Sequence, residues 1–240
     1  MKYRSVSGRN WILENFDEKK VKKKNQDLGV SEIVSRLLTI RNIPSNECKQ
    51  FLNPKIKNTM PNPFILKSMD LAVNVLIKNI KFKKKICIFG DYDVDGACST
   101  AIIAKYLKSL NCDFSIFIPD RIKDGYGPSL NTFNKIIEKK TNLIITVDCG
   151  TTSFDQIQYA KSKGLDIIVL DHHQSNENLP NADAVVNPNR FDEVSDLKYL
   201  CAAGVSFLFL TALSSKLRNI AFFEDENENQ KEFEDPSRRR

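Results

Sequence analysis

From Lys85 onward the sequence alternates short apolar runs with segments of helical spacing, and this alternation limits the fold more than any other feature. The runs cover residues 86–89, 114–118, 143–147, 167–170 and 184–186, and helical spacing follows at about 97–110, 130–140, 153–163 and 202–217. Strands with no polar face must be covered on both sides. The expectation is therefore an α/β fold with a parallel five-stranded sheet flanked by helices. Such sheets bind ligands beyond the carboxyl ends of their strands, so the residues at those ends carry the functional information.

The remaining composition sets outer limits. Of 240 residues, 41% are hydrophobic and 28% charged, which places the chain among globular proteins and against disorder or a collagen-like repeat. No apolar run approaches the roughly 20 residues of a membrane helix. Residues 1–10 lack the apolar stretch of a secretory signal, so a cytoplasmic location is expected. The six cysteines (Cys48, Cys87, Cys98, Cys112, Cys149 and Cys201) have no C-x-x-C spacing and read as reduced thiols. The net charge of +6 includes two lysine clusters, Lys19 to Lys24 and Lys81 to Lys85. They suit a polyanionic partner, although from charge alone solvated helix and loop faces are the better explanation.

Three regions are expected. Residues 1–80 read as a helical leader, with helices near 31–40, 45–52 and 69–80 and a connector marked by Pro54, Pro61 and Pro63. Residues 81–220 form the α/β domain. Residues 221–240 hold seven acids between Glu224 and Asp235 and are expected to be a disordered end or a cut through a longer protein.

Acids stand at three of the strand ends, in Gly90-Asp91-Tyr92-Asp93-Val94-Asp95-Gly96, Val147-Asp148-Cys149-Gly150 and Asp171-His172-His173. Parallel strands bring these to one edge, where several mutually repelling carboxylates call for cations. Carboxylate with imidazole suits Mn²⁺, with Mg²⁺, Co²⁺ or Zn²⁺ as alternatives. Each piece also has a plainer explanation. Asp-x-Asp-x-Asp-Gly opens an EF-hand loop, but the twelfth position is Ile102 where that loop needs glutamate. Asp148 alone reads as a helix cap. The three ends together favour one centre of one or two ions, with Asp93, Asp95, Asp148 and His172 as ligands and Asp91 as ligand or base. Asp171 would orient the histidines, and His173 would meet a scissile phosphate. After the second strand, Arg121, Lys123 and Tyr126 offer two cations for phosphate and a ring for stacking, within what is otherwise a Gly-rich turn.

These three segments resemble the first three motifs of the DHH phosphoesterase superfamily. With Pro119-Asp120-Arg121, Asn187-Pro188-Asn189 and Ala202-Ala203-Gly204, the chain is similar to that superfamily's single-stranded-DNA-specific exonucleases from about Trp11 to Leu217. The resemblance implies metal-dependent 5′-to-3′ hydrolysis of single-stranded DNA with Mn²⁺ or Mg²⁺, a role in DNA recombination and repair, and single-strand-binding protein as a partner. It also implies a fourth acidic motif and further DNA-gripping domains. None follows Leu217, so weak or absent activity is expected of these 240 residues. Two other readings share the residues: a phosphodiesterase for short oligonucleotides or small phosphorylated molecules, and a non-catalytic nucleic-acid-binding fragment.

Overall fold

The computed structural model describes residues 2–12, 14–125 and 127–222 and divides the chain into two compact units, residues 1–61 and 62–240. In the first unit, β1 (Lys2–Arg4) and β2 (Asn10–Ile12) pair antiparallel, and α1 (Glu18–Leu28) packs on α2 (Glu32–Ile40). The short α3 (Cys48–Leu52) and α4 (Ile56–Thr59) follow. Asp17 caps α1 by accepting from the Lys19 and Lys20 amides, and Gly29 closes it in the left-handed conformation. The hairpin and α1 lie outside the helices read from the sequence. Helix α1 has few apolar residues, and beside Val21 it buries the aliphatic stem of Lys24, a residue that a hydrophobic pattern does not count.

The second unit contains α5 (Met69–Lys81), β3 (Ile86–Gly90), α6 (Val94–Ser109), β4 (Phe114–Phe117) and α7 (Leu130–Glu138). It continues with β5 (Leu143–Val147), α8 (Phe154–Ser162), β6 (Asp166–Leu170), β7 (Ala184–Val186) and α9 (Ala202–Asn219). The five strands form one sheet in the order β4-β3-β5-β6-β7, and every pairing is parallel. The α/β architecture expected from the apolar runs is the one observed.

Alternate residues of each central strand enter opposite cores. Ile86, Ile88, Leu143, Ile145, Ile168 and Leu170 pack with α5, α6 and α9 on one face. Cys87, Phe89, Ile144, Ile167 and Val169 pack with Phe133 of α7 and Ile157 of α8 on the other. Helix α5 belongs to this arrangement: Ala72, Val73, Leu76, Ile77 and Ile80 lie in the first core, so the compact unit begins at Asn62 whereas the sequence places the start at 81. A heptad-like apolar face says that a helix is buried, but not against what.

The acidic segment lies outside the described residues from Phe223 on, and Phe222 still packs against the first core. All six cysteines are free thiols. Among the described residues no helix is long and apolar enough to cross a membrane.

The cores differ sharply from the sheet's exposed edge in what truncation should cost. Ile88→Ala, at a fully buried position, is expected to destabilise the chain by about 2–5 kcal/mol. Ile116→Ala on β4, 47% exposed, should cost less than about 1 kcal/mol. Urea denaturation of both variants checks the contrast.

Candidate metal centre

Strand register builds the centre. Gly90 pairs with Val147, Val147 with Leu170, and Leu170 with Val186, so the next residue of each strand falls in one row: Asp91, Asp148, Asp171, Asn187. Backbone hydrogen bonds continue the ladder one step past the strands. The Asp91 amide donates to Val147 O at 3.3 Å, Asp148 to Leu170 O at 2.9 Å, and Asp171 to Val186 O at 3.1 Å. All four side chains are buried, with at most 3% exposure.

Local conformation aims these groups. Asp148 leaves β5 with φ 61°, a left-handed conformation that aspartate tolerates better than most residues. Asp93 caps α6, its Oδ1 accepting from the Gly96 amide at 2.9 Å. That turn is tight enough to require glycine: a Cβ on Gly96 would sit 2.5 Å from the Asp91 carbonyl oxygen. Helix α6 begins three residues earlier than the sequence suggests, which puts Asp95 in its first turn. Asp95 Oδ2 accepts from the Ala202 amide at 2.7 Å and Oδ1 from the Ala203 amide at 2.8 Å, supplying the cap that α9 otherwise lacks.

The histidines complete the site. His172 Nε2 lies 3.3 Å from Asp148 Oδ1 and 3.6 Å from Asp95 Oδ2. His173 Nδ1 lies 2.8 Å from Asp171 Oδ1 and 4.0 Å from Asp148 Oδ1. Asp171 also accepts from the amides of Thr151, His172 and His173, at 3.0, 2.7 and 3.2 Å. Beneath them runs a polar network that the sequence did not single out for a role. The Asn187 amide group donates to Thr151 Oγ1 and to His173 O, both at 2.9 Å, and Asn189 donates to His172 O at 2.6 Å. The available signal was Asn187's position, immediately after an apolar run, like the acids.

Electrostatics separate these carboxylates. Burial pushes Asp148 up to about 8, helped by the neighbouring Asp95 and Asp93 carboxylates. Burial also raises Asp91. Asp93 is lowered, chiefly by the hydrogen bond from Gly96. Asp171 is opposed by burial, yet the His173 ring and Thr151 hold it down at about 2. Its hydrogen bond in turn raises His173 to about 9.

This donor set fits divalent cations. Ligand atoms of Asp148, His172 and His173 lie within 4.8 Å of one another, as do those of Asp91, Asp93 and Asp148. Asp148 is common to both groups, and buried oxygens of Asp91 and Asp148 have no hydrogen-bond partner. The Cys149 thiol points away, donating to Val147 O at 3.5 Å. Carboxylates and imidazoles without thiolate suit Mn²⁺ or Mg²⁺. Of the residues read as meeting substrate, the Arg121 guanidinium lies 5.5 Å from the centre of the Tyr92 ring, directly beside Asp91 in sequence. Lys123 is exposed on the same loop, and Tyr126 lies outside the described residues.

Residues 85–234 match the DHH family, N-terminal domain. The chain is 35% identical over 213 residues to the single-stranded-DNA-specific exonuclease RecJ of Bacillus subtilis, covering 88% of this chain and 27% of that protein. It is 36% identical over 216 residues to RecJ of Haemophilus influenzae, covering 88% and 37%. Among solved structures it is similar to RecJ in complex with Mn²⁺ from Thermus thermophilus, at TM-score 0.67 and 27% identity, over 86% of this chain and 28% of that one. A RecJ bound to manganese matches at TM-score 0.59 and 34% identity, over 63% and 38%. The chain thus spans about a third of the length of these relatives.

The charges imply a pH dependence in metal-chelated solution. Between about pH 4 and 8 the folded chain holds a proton on Asp148 that an unfolded chain has released, and from about 6.5 to 9 the same holds for His173. The folded state then binds more protons, so stability falls as pH rises through these intervals. Asp171 acts oppositely, its contribution disappearing only as pH drops from about 4 towards 2. Asp148→Asn, which keeps the left-handed conformation, should flatten the decline and melt a few degrees above the unsubstituted chain at pH 8 in EDTA. Thermal denaturation across pH checks this.

Proposed function

The chain belongs to the DHH family, and on that premise we propose that it carries the metal-binding part of a hydrolase that cleaves phosphodiester bonds in single-stranded DNA. The observation that carries this reading is Asp148, buried, short of hydrogen bonds and common to two groups of ligand atoms at adjoining strand ends.

Asp93, Asp95, Asp148 and His172 would hold one or two Mn²⁺ or Mg²⁺ ions, with Asp91 as a further ligand or base. When bound, the ions supply activation of water and neutralisation of phosphoryl charge, so no side-chain nucleophile is required. Asp171 keeps His173 oriented and protonated, so that the imidazolium would donate to a phosphoryl oxygen. Asn187 and Asn189 fix the backbone that carries both histidines. Arg121, whose guanidinium lies 5.5 Å from the centre of the Tyr92 ring, would supply a cation to a phosphate next to the centre, with Lys123 as a second cation and Tyr126 as a ring for stacking.

The relatives are named as single-stranded-DNA-specific exonucleases, which supports single-stranded DNA as the substrate. Beyond what the relatives' names say, we propose 5′-to-3′ digestion in recombination and repair, in the cytoplasm, with single-strand-binding protein as partner. Since the chain spans only a third of their length, we expect weak turnover from these residues alone.

Release of nucleotides from 5′-labelled single-stranded DNA in Mn²⁺ tests the proposal. Asp93→Ala is expected to lower the rate at least about 100-fold while costing only about 1 kcal/mol of stability through the lost cap. Cleavage of a dinucleotide without cleavage of a long strand would replace the proposal with a small-substrate phosphodiesterase. DNA binding with no hydrolysis in any divalent ion would leave a non-catalytic fragment.

A further inference from the structure

The excess positive charge belongs to the first unit. Residues 1–61 contain 13 lysines and arginines against 6 acids, whereas the remaining residues contain 23 against 24. Part of this excess surrounds a concavity. A cavity of about 360 Å³ is lined by Lys20, Lys23, Lys24, Thr39, Asn42 and Ser45, with Ile43 and Pro44. A second, of about 290 Å³, shares Lys24 and Ser45 with it and adds Lys49 and Asn46, with Asp27 and Leu28 completing the wall.

Lys24 organises this place. It is 7% exposed, and its ammonium donates to Leu38 O at 3.4 Å and to Ile43 O. These carbonyls lie at and just past the carboxyl end of α2, where the helix dipole favours a cation. Two of its three donors are thereby used, and the charge is held without a carboxylate. Among the described residues no acid lies within ion-pair distance of Lys20, Lys23, Lys24 or Lys49. Fixed and flexible ammonium groups, hydroxyls and amides around one hollow form a donor-rich site for an anion with several oxygens. Helix α3, which carries Lys49, also exposes Phe51, a ring available for stacking.

We propose that this hollow on the first unit is a second nucleic-acid site, which grips the phosphodiester backbone of single-stranded DNA independently of the metal centre. The choice of DNA as the ligand rests on the function proposed above. The site itself rests on the lysines, the cavity and the carbonyl-held Lys24. It would retain a strand between cleavage events without itself taking part in chemistry.

The test uses the full chain in EDTA, so that binding is read without hydrolysis. Anisotropy of a labelled oligothymidylate is followed as salt rises from about 50 to 200 mM. Lys20→Gln, Lys23→Gln and Lys49→Gln, combined, change three exposed residues and keep helix propensity. They are expected to weaken binding about 10-fold or more and to lower the slope of log affinity against log salt by about 2, near 0.7 per lost phosphate contact. The combination Lys81→Gln, Lys105→Gln and Lys108→Gln removes the same charge from the other unit and should leave most of the slope intact. In the unsubstituted chain, bound oligonucleotide should also protect Lys20, Lys23 and Lys49 from acetylation. An unchanged slope in the first combination, an equal loss in the second, or no protection overturns the inference. Absence of hydrolysis by the unsubstituted chain in Mn²⁺ or Mg²⁺, with lysine-dependent binding retained, counts against the metal-centre reading alone.

Discussion

Parallel pairing of β3, β5, β6 and β7 in one register is the constraint on which the rest depends. Because each strand's last apolar residue pairs with its neighbour's, the first polar residue of every strand arrives at the same height, and three carboxyl groups and an amide stand side by side. A slip of one residue in a single strand would turn its apolar set into the wrong core and move its acid out of the row. The same hydrophobic alternation that covers the sheet on both faces therefore also sets the geometry of the ligand atoms.

Collecting acids in this way is unfavourable, and the fold offsets it unevenly. Asp171 is satisfied by three amides and a ring nitrogen and stays ionised. Asp93 has the amino end of α6, and Asp95 has the amino end of α9. Asp91 and Asp148 each retain a buried oxygen without a partner and are the groups burial raises. The unfavourable electrostatics are thus concentrated on Asp91 and Asp148, which a cation would relieve, while helix-end amides steady Asp93 and Asp95 beside them.

Much of this was legible in the sequence. Continuous apolar runs gave the strands, and the parallel sheet followed from strands with no polar face; the acids at their ends named the site. What escaped reading has physical causes. Helix α1 hides its buried face behind a lysine stem, which counts as polar in any hydropathy pattern. The allegiance of α5 depends on which core its apolar face meets. The tie from Asp95 to Ala202 and Ala203 crosses more than a hundred residues, and the Asn187 network joins a side-chain amide to a hydroxyl and a backbone carbonyl that no sequence pattern marks.

The left-handed backbone at Asp148 has an evolutionary consequence. The usual conservative exchange for an aspartate is glutamate, yet here that exchange loses aspartate's tolerance of positive φ. Glycine and asparagine suit the backbone but bring no charge. Among the amino acids, one that is both anionic and at ease in this conformation is aspartate. Any single exchange at this position therefore gives up either charge or backbone ease, which makes it a costly place for drift.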